Sequence, residues 1–173
     1  NMAGLDTRDQ AKTFIYALLY GAGDAKIGSV VNGTAKDGKA LRERFLSNLP
    51  SFSRLREAVV HKGTTEGRLR AIDGRQLVVR HPHASINTLI QGSSAVLMKK
   101  WFMNTAATMK ARKTGAKLVA MVHDEMVIEC GKESIDSVSD CVKIAISQVN
   151  QEYNLRCKLD CDVQIGNNWS EIH

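Results

Sequence analysis

Residues 118–130 read LVAMVHDEMVIEC, two short apolar runs separated by the polar tripeptide His123-Asp124-Glu125. The runs on either side are rich in Val, Met and Ile and are short enough to be β-strands. We therefore predict an antiparallel hairpin over Leu118–Val122 and Met126–Cys130, with Asp124 at its tip. Because the flanking strands would hold the backbone rigid, this carboxylate is a candidate ligand for a hard divalent cation. Acidic turns are also common as plain solvated surface, so the tripeptide alone leaves both interpretations open.

Helical patterns account for most of the remaining sequence. Recurring apolar residues, capping residues and chain-breaking Gly and Pro predict helices over residues 7–20, 25–31, 35–49, 51–62, 84–112 and 134–151. Two short strands at 68–72 and 76–79 flank Asp73-Gly74, which is typical of a two-residue hairpin turn, and a last strand is expected over 158–165. This order of elements predicts an α+β fold, in which a helical lobe over residues 1–66 is followed, over residues 67–173, by a three-stranded antiparallel sheet packed on long helices.

Composition and charge narrow the class of function. The chain has 173 residues, of which 43% are apolar and 24% charged, enough to bury a core. No stretch approaches the roughly 20 apolar residues of a membrane span, so we expect a cytoplasmic protein that does not enter a membrane. Residues 1–113 carry 19 Lys and Arg against 8 Asp and Glu, whereas residues 114–173 carry 5 against 10. A basic body suits a polyanion such as nucleic acid and an acidic end suits divalent cations, although scattered surface charge would give the same totals.

Four side chains recur every four residues on the first predicted helix: Arg8, Lys12, Tyr16 and Tyr20. This spacing places them on one face of the helix. The two cations lie toward the helix N-terminus, where backbone N–H groups and the helix dipole already favour anions, and the two rings follow. A nucleotide laid along the helix would need phosphate ligands first and then surfaces for its sugar and base. An amphipathic helix with solvated cations and packed tyrosines is the alternative interpretation.

The pattern Arg8-x-x-x-Lys12-x-x-x-Tyr16-x-x-x-Tyr20-Gly21 resembles the fingers-helix motif of the family A (DNA polymerase I-type) DNA polymerases. Its continuation, LYGAGD at residues 19–24, is similar to the replicative polymerases of T-odd bacteriophages, which would place the chain in an infected bacterial cell. The resemblance implies that Arg8 and Lys12 hold the triphosphate of an incoming dNTP, which makes Lys12 a catalytic candidate as well. It also implies that Tyr16 lies against the sugar and that Tyr20 stacks near the templating base.

The acidic tripeptide also fits this family, because Val122-His123-Asp124-Glu125 is similar to its third palm motif. The resemblance implies that Asp124 is a catalytic ligand of one of two Mg²⁺ ions, that His123 supports the primer terminus and that Glu125 is an accessory acid. The family's first palm motif, Asp-x-Ser-x-x-Glu, is absent from this sequence. We therefore expect the second metal-ligating Asp, and the thumb, to come from another segment or subunit. Asp160 and Asp162 on the last predicted strand are expected to be surface acids.

A second row of polar side chains, His83, Asn87 and Gln91, runs at the same spacing at the start of the longest predicted helix. Each can donate a hydrogen bond, and a duplex-binding enzyme needs donors for the minor-groove acceptors that all base pairs share. A plain polar helix face is the alternative interpretation. Within the resemblance, this segment grips the primer-template duplex, and Arg75 and Arg80 contact its phosphates.

The order of these motifs implies part of a polymerase right-hand fold, with the fingers subdomain over residues 1–66 and the C-terminal part of the palm over residues 67–173. The implied function is template-directed DNA synthesis, in which dNTPs are added to a primer 3′ end by two-metal phosphoryl transfer. The implied partners are primer-template DNA, dNTP, a polymerase segment or subunit that carries the first palm motif, and a processivity factor. Alone, the chain is expected to be inactive. Two alternatives stay open: a non-catalytic DNA-binding module, and a metal-dependent nuclease that uses Asp124 with Asp160 or Asp162.

Overall fold

The computed structural model describes residues 5–172, which form two compact units that divide the chain between Ser93 and Ser94. The first unit holds α1 (Arg8–Leu19), α2 (Asp24–Gly28), α3 (Ala35–Asn48), α4 (Pro50–Glu66), β1 (Arg68–Arg70) and β2 (Gln76–Val78). Helix α5 (Ser85–Ala111) begins in the first unit and ends in the second, where β3 (Lys117–Val122), β4 (Glu125–Glu129) and α6 (Ile135–Glu152) follow. Short 3-10 turns cover Ser29–Val31, Pro82–Ala84, Lys132–Ser134 and Trp169–Glu171. None of the helices in residues 5–172 is long and apolar enough to cross a bilayer.

Helix α1 begins and ends where local sequence chemistry predicts. The Thr7 side chain accepts a hydrogen bond from the Gln10 backbone N–H at 3.1 Å, and the Gln10 side chain accepts one from the Thr7 N–H at 3.3 Å, a reciprocal capping box. The helix ends before Gly21, whose φ of +74° favours glycine. Its inner face buries Phe14, whose ring meets that of Phe45 edge-on at 5.3 Å. This packing leaves the opposite face of α1 in solvent.

Helices α3 and α4 confirm two further predicted helices, and α4 is longer than expected. A second capping box, between Thr34 and Asp37, begins α3. Helix α4 extends four residues beyond the predicted end at Lys62. The added turn, residues 63–66, reads Gly-Thr-Thr-Glu and has no apolar repeat, so hydrophobic periodicity carries no signal for it.

Strands β1 and β2 form the predicted antiparallel hairpin, but its loop is one residue longer than expected. The Ala71 N–H donates to the Arg75 carbonyl at 2.9 Å, and the Gly74 N–H donates to the Ala71 carbonyl at 2.9 Å. Residues 72–74 therefore form a three-residue loop, so the two-residue turn predicted from Asp73-Gly74 is wrong. Gly74 has a φ of +85°, the left-handed conformation that closes three-residue hairpin loops.

Strands β3 and β4 confirm the hairpin predicted around the acidic tripeptide. Val122 pairs with Glu125, so His123 and Asp124 are the two turn residues and Glu125 begins the second strand. The hairpin packs against α5 and α6 through a buried cluster of Met109, Val138 and Cys141. The packing of both strands on these helices fixes the position of the turn in the second unit.

The last predicted strand, residues 158–165, is wrong, because the structure has no strand there. Instead of one three-stranded sheet, the described residues hold two separate two-stranded sheets, and they are mostly helical. A strand must exchange backbone hydrogen bonds with a neighbour, and at Leu159 the side chain of Asn150 makes these bonds instead. Asn150 Nδ2 donates to the Leu159 carbonyl at 2.8 Å, and the Leu159 N–H donates to Asn150 Oδ1 at 2.7 Å. The segment is thus tied to α6.

Candidate functional site

The four-residue repeat on α1 lies on the solvent side of the helix. Arg8, Lys12, Tyr16 and Tyr20, which we call the α1 row, are all exposed, the two tyrosines at 50% each, whereas Phe14 on the inner face is buried. The Tyr16 and Tyr20 ring centroids are 6.4 Å apart, with 34° between the ring planes. The row therefore presents two cations and two aromatic faces to solvent along one line.

The positive end of the α1 row is free to bind an anion. Neither Arg8 nor Lys12 forms an ion pair with any acid of residues 5–172. Both lie in the first half of α1, where the helix dipole adds to their charge. Two uncompensated charges at a helix N-terminal end are the arrangement that phosphate groups favour.

The second polar row, His83, Asn87 and Gln91, is called the α5 row, although its first member precedes the helix. His83 lies in the 3-10 turn that leads into α5. Its ring stacks on that of His81, with 5.6 Å between the ring centroids and 18° between the ring planes. His83 and Gln91 are exposed and Asn87 is half-buried. All three side chains carry N–H groups that can donate to an acceptor on a bound molecule.

The α1 row and the α5 row are joined at their last members. Gln91 Nε2 donates a hydrogen bond to the Tyr20 hydroxyl at 3.1 Å, across 71 residues of sequence. Close by, the Gly21 backbone lies against the His83 carbonyl oxygen, because a Cβ on Gly21 would fall 2.2 Å from it. No sequence pattern predicts these contacts, since they depend on how two distant segments pack.

Of the two arginines predicted to contact phosphates, one forms an ion pair and the other does not within the described residues. Arg75 Nε donates to Asp73 Oδ2 at 2.7 Å, within the loop of the first hairpin. Partial desolvation disfavours the charged form of Asp73, but hydrogen bonds from the Arg75 side chain and backbone outweigh it, so the pKa of Asp73 lies below its ordinary value. Arg80 is exposed and has no ion pair within the described residues. Arg75 must therefore share its charge with Asp73, whereas Arg80 does not.

Two basic residues on the first hairpin were not predicted as binding residues. Arg68 and Arg70 alternate with the buried Leu69, so both lie on the exposed face of β1. Arg68 Nη1 donates to Gln76 Oε1 on the neighbouring strand at 2.8 Å, which holds its guanidinium in place. The alternation Arg-Leu-Arg just before a turn dipeptide is the sequence signal that could have found them.

Asp124 lies at an exposed tip next to a residue with an unusual backbone conformation. His123 has a φ of +51°, a left-handed conformation that costs a non-glycine residue roughly 1–2 kcal/mol. Asp124 and the half-buried Glu125 line a cavity of about 820 Å³ in the second unit. Asp160 and Asp162, both exposed, line the same cavity.

The carboxylate oxygens at this tip are ligands that Mg²⁺ prefers, but they are too few to complete its coordination. Mg²⁺ prefers oxygen ligands, and it is commonly held by one or two carboxylates together with water and substrate phosphates. Asp124 supplies a carboxylate from the turn and Glu125 supplies one from the first residue of β4. No group of three His, Cys, Asp or Glu side chains within residues 5–172 could hold a metal ion. An ion at Asp124 would therefore need further ligands from water, substrate or another polypeptide segment.

Known proteins that resemble this chain agree on one family. Residues 2–171 match the family described as DNA polymerase family A. The chain is 36% identical over 192 residues to the DNA-directed DNA polymerases of Enterobacteria phage T3 and Escherichia phage T7, and each alignment covers 99% of this chain and 27% of the relative. DNA polymerase I of Aquifex aeolicus is 27% identical over 176 residues, which is 96% of this chain and 30% of the relative. The chain thus spans only about 27–30% of the length of these curated relatives.

A solved structure supports the fold. The POL domain of Pol1 from M. smegmatis, in complex with DNA primer-template and dNTP, aligns with a TM-score of 0.76 at 19% identity, covering 82% of this chain and 27% of that chain. The family match spans nearly the whole sequence, and the phage relatives share more than a third of the aligned residues. On these grounds, the chain belongs to DNA polymerase family A.

Proposed function

We propose that this chain supplies the nucleotide-binding helix, part of the duplex-binding surface and one metal ligand of a template-directed DNA polymerase, which adds dNTPs to a primer 3′ end. The observation that carries the proposal is the α1 row, in which two cations without an ion pair in residues 5–172 are followed by two exposed rings on one face of a capped helix. The solved Pol1 relative is in complex with DNA primer-template and dNTP, the two ligands proposed here. We assign residues 1–66 to the fingers and residues 67–173 to the C-terminal part of the palm.

Binding of the dNTP is assigned to the α1 row. Arg8 and Lys12 contact the triphosphate, because their unpaired charges and the helix N-terminal end all attract phosphate oxygens. Tyr16 lies against the sugar, and Tyr20, one turn further along the helix, stacks near the templating base. Lys12 is also a catalytic residue, since a contact that tightens as charge develops on the phosphates lowers the barrier as well as the dissociation constant.

Binding of the primer-template duplex is assigned to the α5 row and to the arginines near it. His83, Asn87 and Gln91 donate to minor-groove acceptors, which are common to all base pairs and therefore allow any sequence to be copied. Arg75 and Arg80 contact phosphates, which adds affinity without sequence preference. We add Arg68 and Arg70 to these phosphate contacts, because both lie on the exposed face of β1.

The chemistry is assigned to the tip of the β3–β4 hairpin. Asp124 would hold Mg²⁺, with Glu125 as an accessory carboxylate on the next residue. When bound, a pair of Mg²⁺ ions lowers the pKa of the primer 3′ hydroxyl and offsets the charge of the leaving pyrophosphate. His123, held by its left-handed backbone beside Asp124, supports the primer terminus by donating a hydrogen bond.

A partner is needed to complete this site. The chain lacks the first palm motif and spans 27% of the phage relatives, so we propose that another segment or subunit supplies the second metal-ligating Asp and the thumb. Val119 and Ile165 line the same cavity of the second unit as Asp124 and are 60% and 62% exposed, so a partner segment seated there would bury them.

Primer extension after reconstitution tests the proposal. The chain is mixed with the part of the phage T7 relative that lies outside the aligned region, and extension of a labelled primer is measured with Mg²⁺ and dNTPs. We expect no extension by either part alone and extension by the mixture. Extension should be lost with Asp124→Ala and retained with Asp162→Ala, an exposed acid of the same cavity that has no assigned role.

Other outcomes would favour the other two functions. Salt-sensitive duplex binding without extension under any reconstitution would identify a non-catalytic DNA-binding module. Mg²⁺-dependent cleavage of DNA by the chain alone, lost on substitution of Asp160 or Asp162, would identify a nuclease. Either result would contradict the polymerase proposal.

A further inference from the structure

The hydrogen bond between Gln91 and Tyr20 links the two surfaces to which the proposed function assigns different ligands. Tyr20 is the last member of the α1 row, and Gln91 is the last member of the α5 row. Gln91 Nε2 donates to the Tyr20 hydroxyl at 3.1 Å. The side chain assigned to the duplex is therefore in contact with the side chain assigned to the templating base.

The backbones that carry these two side chains are held close together by other contacts. Gly21 adopts a left-handed conformation and lies directly against the His83 carbonyl oxygen, with no room for a Cβ. Leu19 packs against a buried cluster that includes Val79 and Ile86, just before and just inside α5. Because packing fixes both backbones, little further ordering is needed for Gln91 to reach Tyr20, although both side chains are exposed.

The bond also fixes the Tyr20 ring. A tyrosine side chain turns about two torsions only, and both are set once the backbone and the hydroxyl are held. The ring is half exposed, and its other neighbour on the row, Tyr16, contacts it only as a tilted ring at 6.4 Å between centroids. Gln91 is thus the polar contact that orients Tyr20.

We propose that Gln91 is a positioning residue for Tyr20, and that binding of a primer-template duplex moves its amide from the Tyr20 hydroxyl to a minor-groove acceptor. The inference rests on the proposed function, which assigns Gln91 to the minor groove. The Gln91 amide carries two N–H donors, and the transfer requires that the one donated to the Tyr20 hydroxyl turns to the duplex. Duplex binding then releases the Tyr20 ring, so that the templating-base surface becomes mobile only when DNA is in place.

A double-mutant cycle on duplex binding tests the transfer. The dissociation constant of a labelled primer-template duplex is measured by fluorescence anisotropy for the wild type, Tyr20→Phe, Gln91→Ala and the double variant. Tyr20→Phe keeps the ring and removes the hydroxyl, so the amide no longer has to leave a partner. We expect Tyr20→Phe to bind duplex on the order of fivefold more tightly than the wild type, the effect of one neutral hydrogen bond. When Gln91→Ala is already present, Tyr20→Phe should leave the duplex dissociation constant unchanged.

Two further measurements make the outcome specific. The side-chain amide resonances of Gln91, identified by their loss in Gln91→Ala, should shift in Tyr20→Phe and should shift when duplex is added to the wild type. Tyr153→Phe makes the same chemical change at the residue that follows α6, in the second unit, and should leave the duplex dissociation constant and the Gln91 resonances unchanged.

The results separate failure of this inference from failure of the proposed function. If the wild type binds duplex and Tyr20→Phe does not bind it more tightly, the transfer is excluded while the duplex-binding role stands. If Tyr20→Phe raises duplex affinity equally when Gln91→Ala is present, the transfer is also excluded, because the effect then does not depend on Gln91. If no member of the cycle binds duplex, the proposed function fails and this inference with it.

Discussion

At the scale of single residues, the state of each basic side chain decides what it can bind. Lys12 is exposed and unpaired within the described residues, so its charge is available to an anion, whereas the Arg75 guanidinium is already bound to Asp73 at 2.7 Å. Both were predicted from the sequence as phosphate ligands. The sequence locates a charge along the chain, but pairing depends on side-chain conformation and is visible only in the structure.

Replacement of Lys12 by Ala tests the nucleotide contact. In the reconstituted polymerase, we expect Lys12→Ala to raise KM for dNTP and to lower kcat, because the contact tightens in the transition state. A hydrogen bond to a charged group contributes roughly 1.5–3 kcal/mol, which corresponds to a loss of about 10- to 150-fold in kcat/KM. Lys26→Ala, which removes an exposed lysine from α2, is the matched control. Equal kinetics for the two variants would exclude Lys12 from the triphosphate site.

The backbone at His123 gives a second prediction at this scale. At an ordinary strand position, Gly is less stable than Ala by roughly 0.5–1 kcal/mol, but a left-handed residue favours Gly by roughly 1–2 kcal/mol. His123 has a φ of +51°. We therefore expect His123→Gly to unfold at higher urea concentration than His123→Ala, while both lose the imidazole and any contact with the primer terminus. The reverse order of stability would show that the turn does not require this conformation.

At the scale of secondary-structure elements, local chemistry explains why the helices could be predicted. The starts of α1 and α3 lie at capping boxes, and their apolar repeats face a core, so sequence signals and structure coincide. The last turn of α4 was missed because residues 63–66 are polar. Strand 158–165 was predicted wrongly because a strand depends on a neighbour, which an isolated β pattern cannot supply.

The candidate site was predictable to a similar extent. Helical spacing was enough to place the α1 row on one exposed face, because that face follows from periodicity alone. The link between Tyr20 and Gln91 could not be predicted, since it joins residues 71 positions apart. Arg68 and Arg70 were overlooked although their alternation with Leu69 carried a signal.

The capping box of α3 predicts a specific dependence of stability on pH. The Thr34 backbone N–H and hydroxyl both donate to Asp37 Oδ2 at 2.7 Å, which lowers the pKa of Asp37 below its ordinary value of 3.8. A carboxyl with a lowered folded-state pKa stabilises the fold above its unfolded pKa, and this contribution is lost as the pH falls through the folded pKa. We expect the wild type to exceed Asp37→Asn in free energy of unfolding at about pH 6, with the difference shrinking below pH 3.8.

Urea denaturation at several pH values checks this dependence. Thr34→Val removes the hydroxyl donor and keeps the backbone donor. In this background, the difference in free energy of unfolding that Asp37→Asn causes should depend less on pH, but the dependence should not disappear. A difference between wild type and Asp37→Asn that stays constant from about pH 6 to about pH 3 would contradict the assignment of the capping box.

At the scale of the whole molecule, the two ends of the chain differ in charge. Residues 1–113 are rich in Lys and Arg and residues 114–173 are rich in Asp and Glu, the combination that a nucleotidyl-transfer enzyme needs for a polyanion and for divalent cations. Composition predicts a polyanionic partner but carries no information on the family, which is shown by the match over residues 2–171. The chain covers 27% of the phage relatives, and the proposed function assigns the second metal ligand to another segment or subunit.

Single-nucleotide incorporation by the reconstituted polymerase tests most directly whether Asp124 belongs to the catalytic site. The rate constant for adding one dNTP to a primer is measured under single-turnover conditions for the wild type, Asp124→Ala and Asp162→Ala, alongside the dissociation constant for the duplex. We expect Asp124→Ala to slow incorporation on the order of 10³-fold, equivalent to several kcal/mol of lost transition-state stabilisation, with duplex binding and the Asp162→Ala rate unchanged. Incorporation by Asp124→Ala at the wild-type rate, or an equal loss in Asp162→Ala, would contradict the assignment.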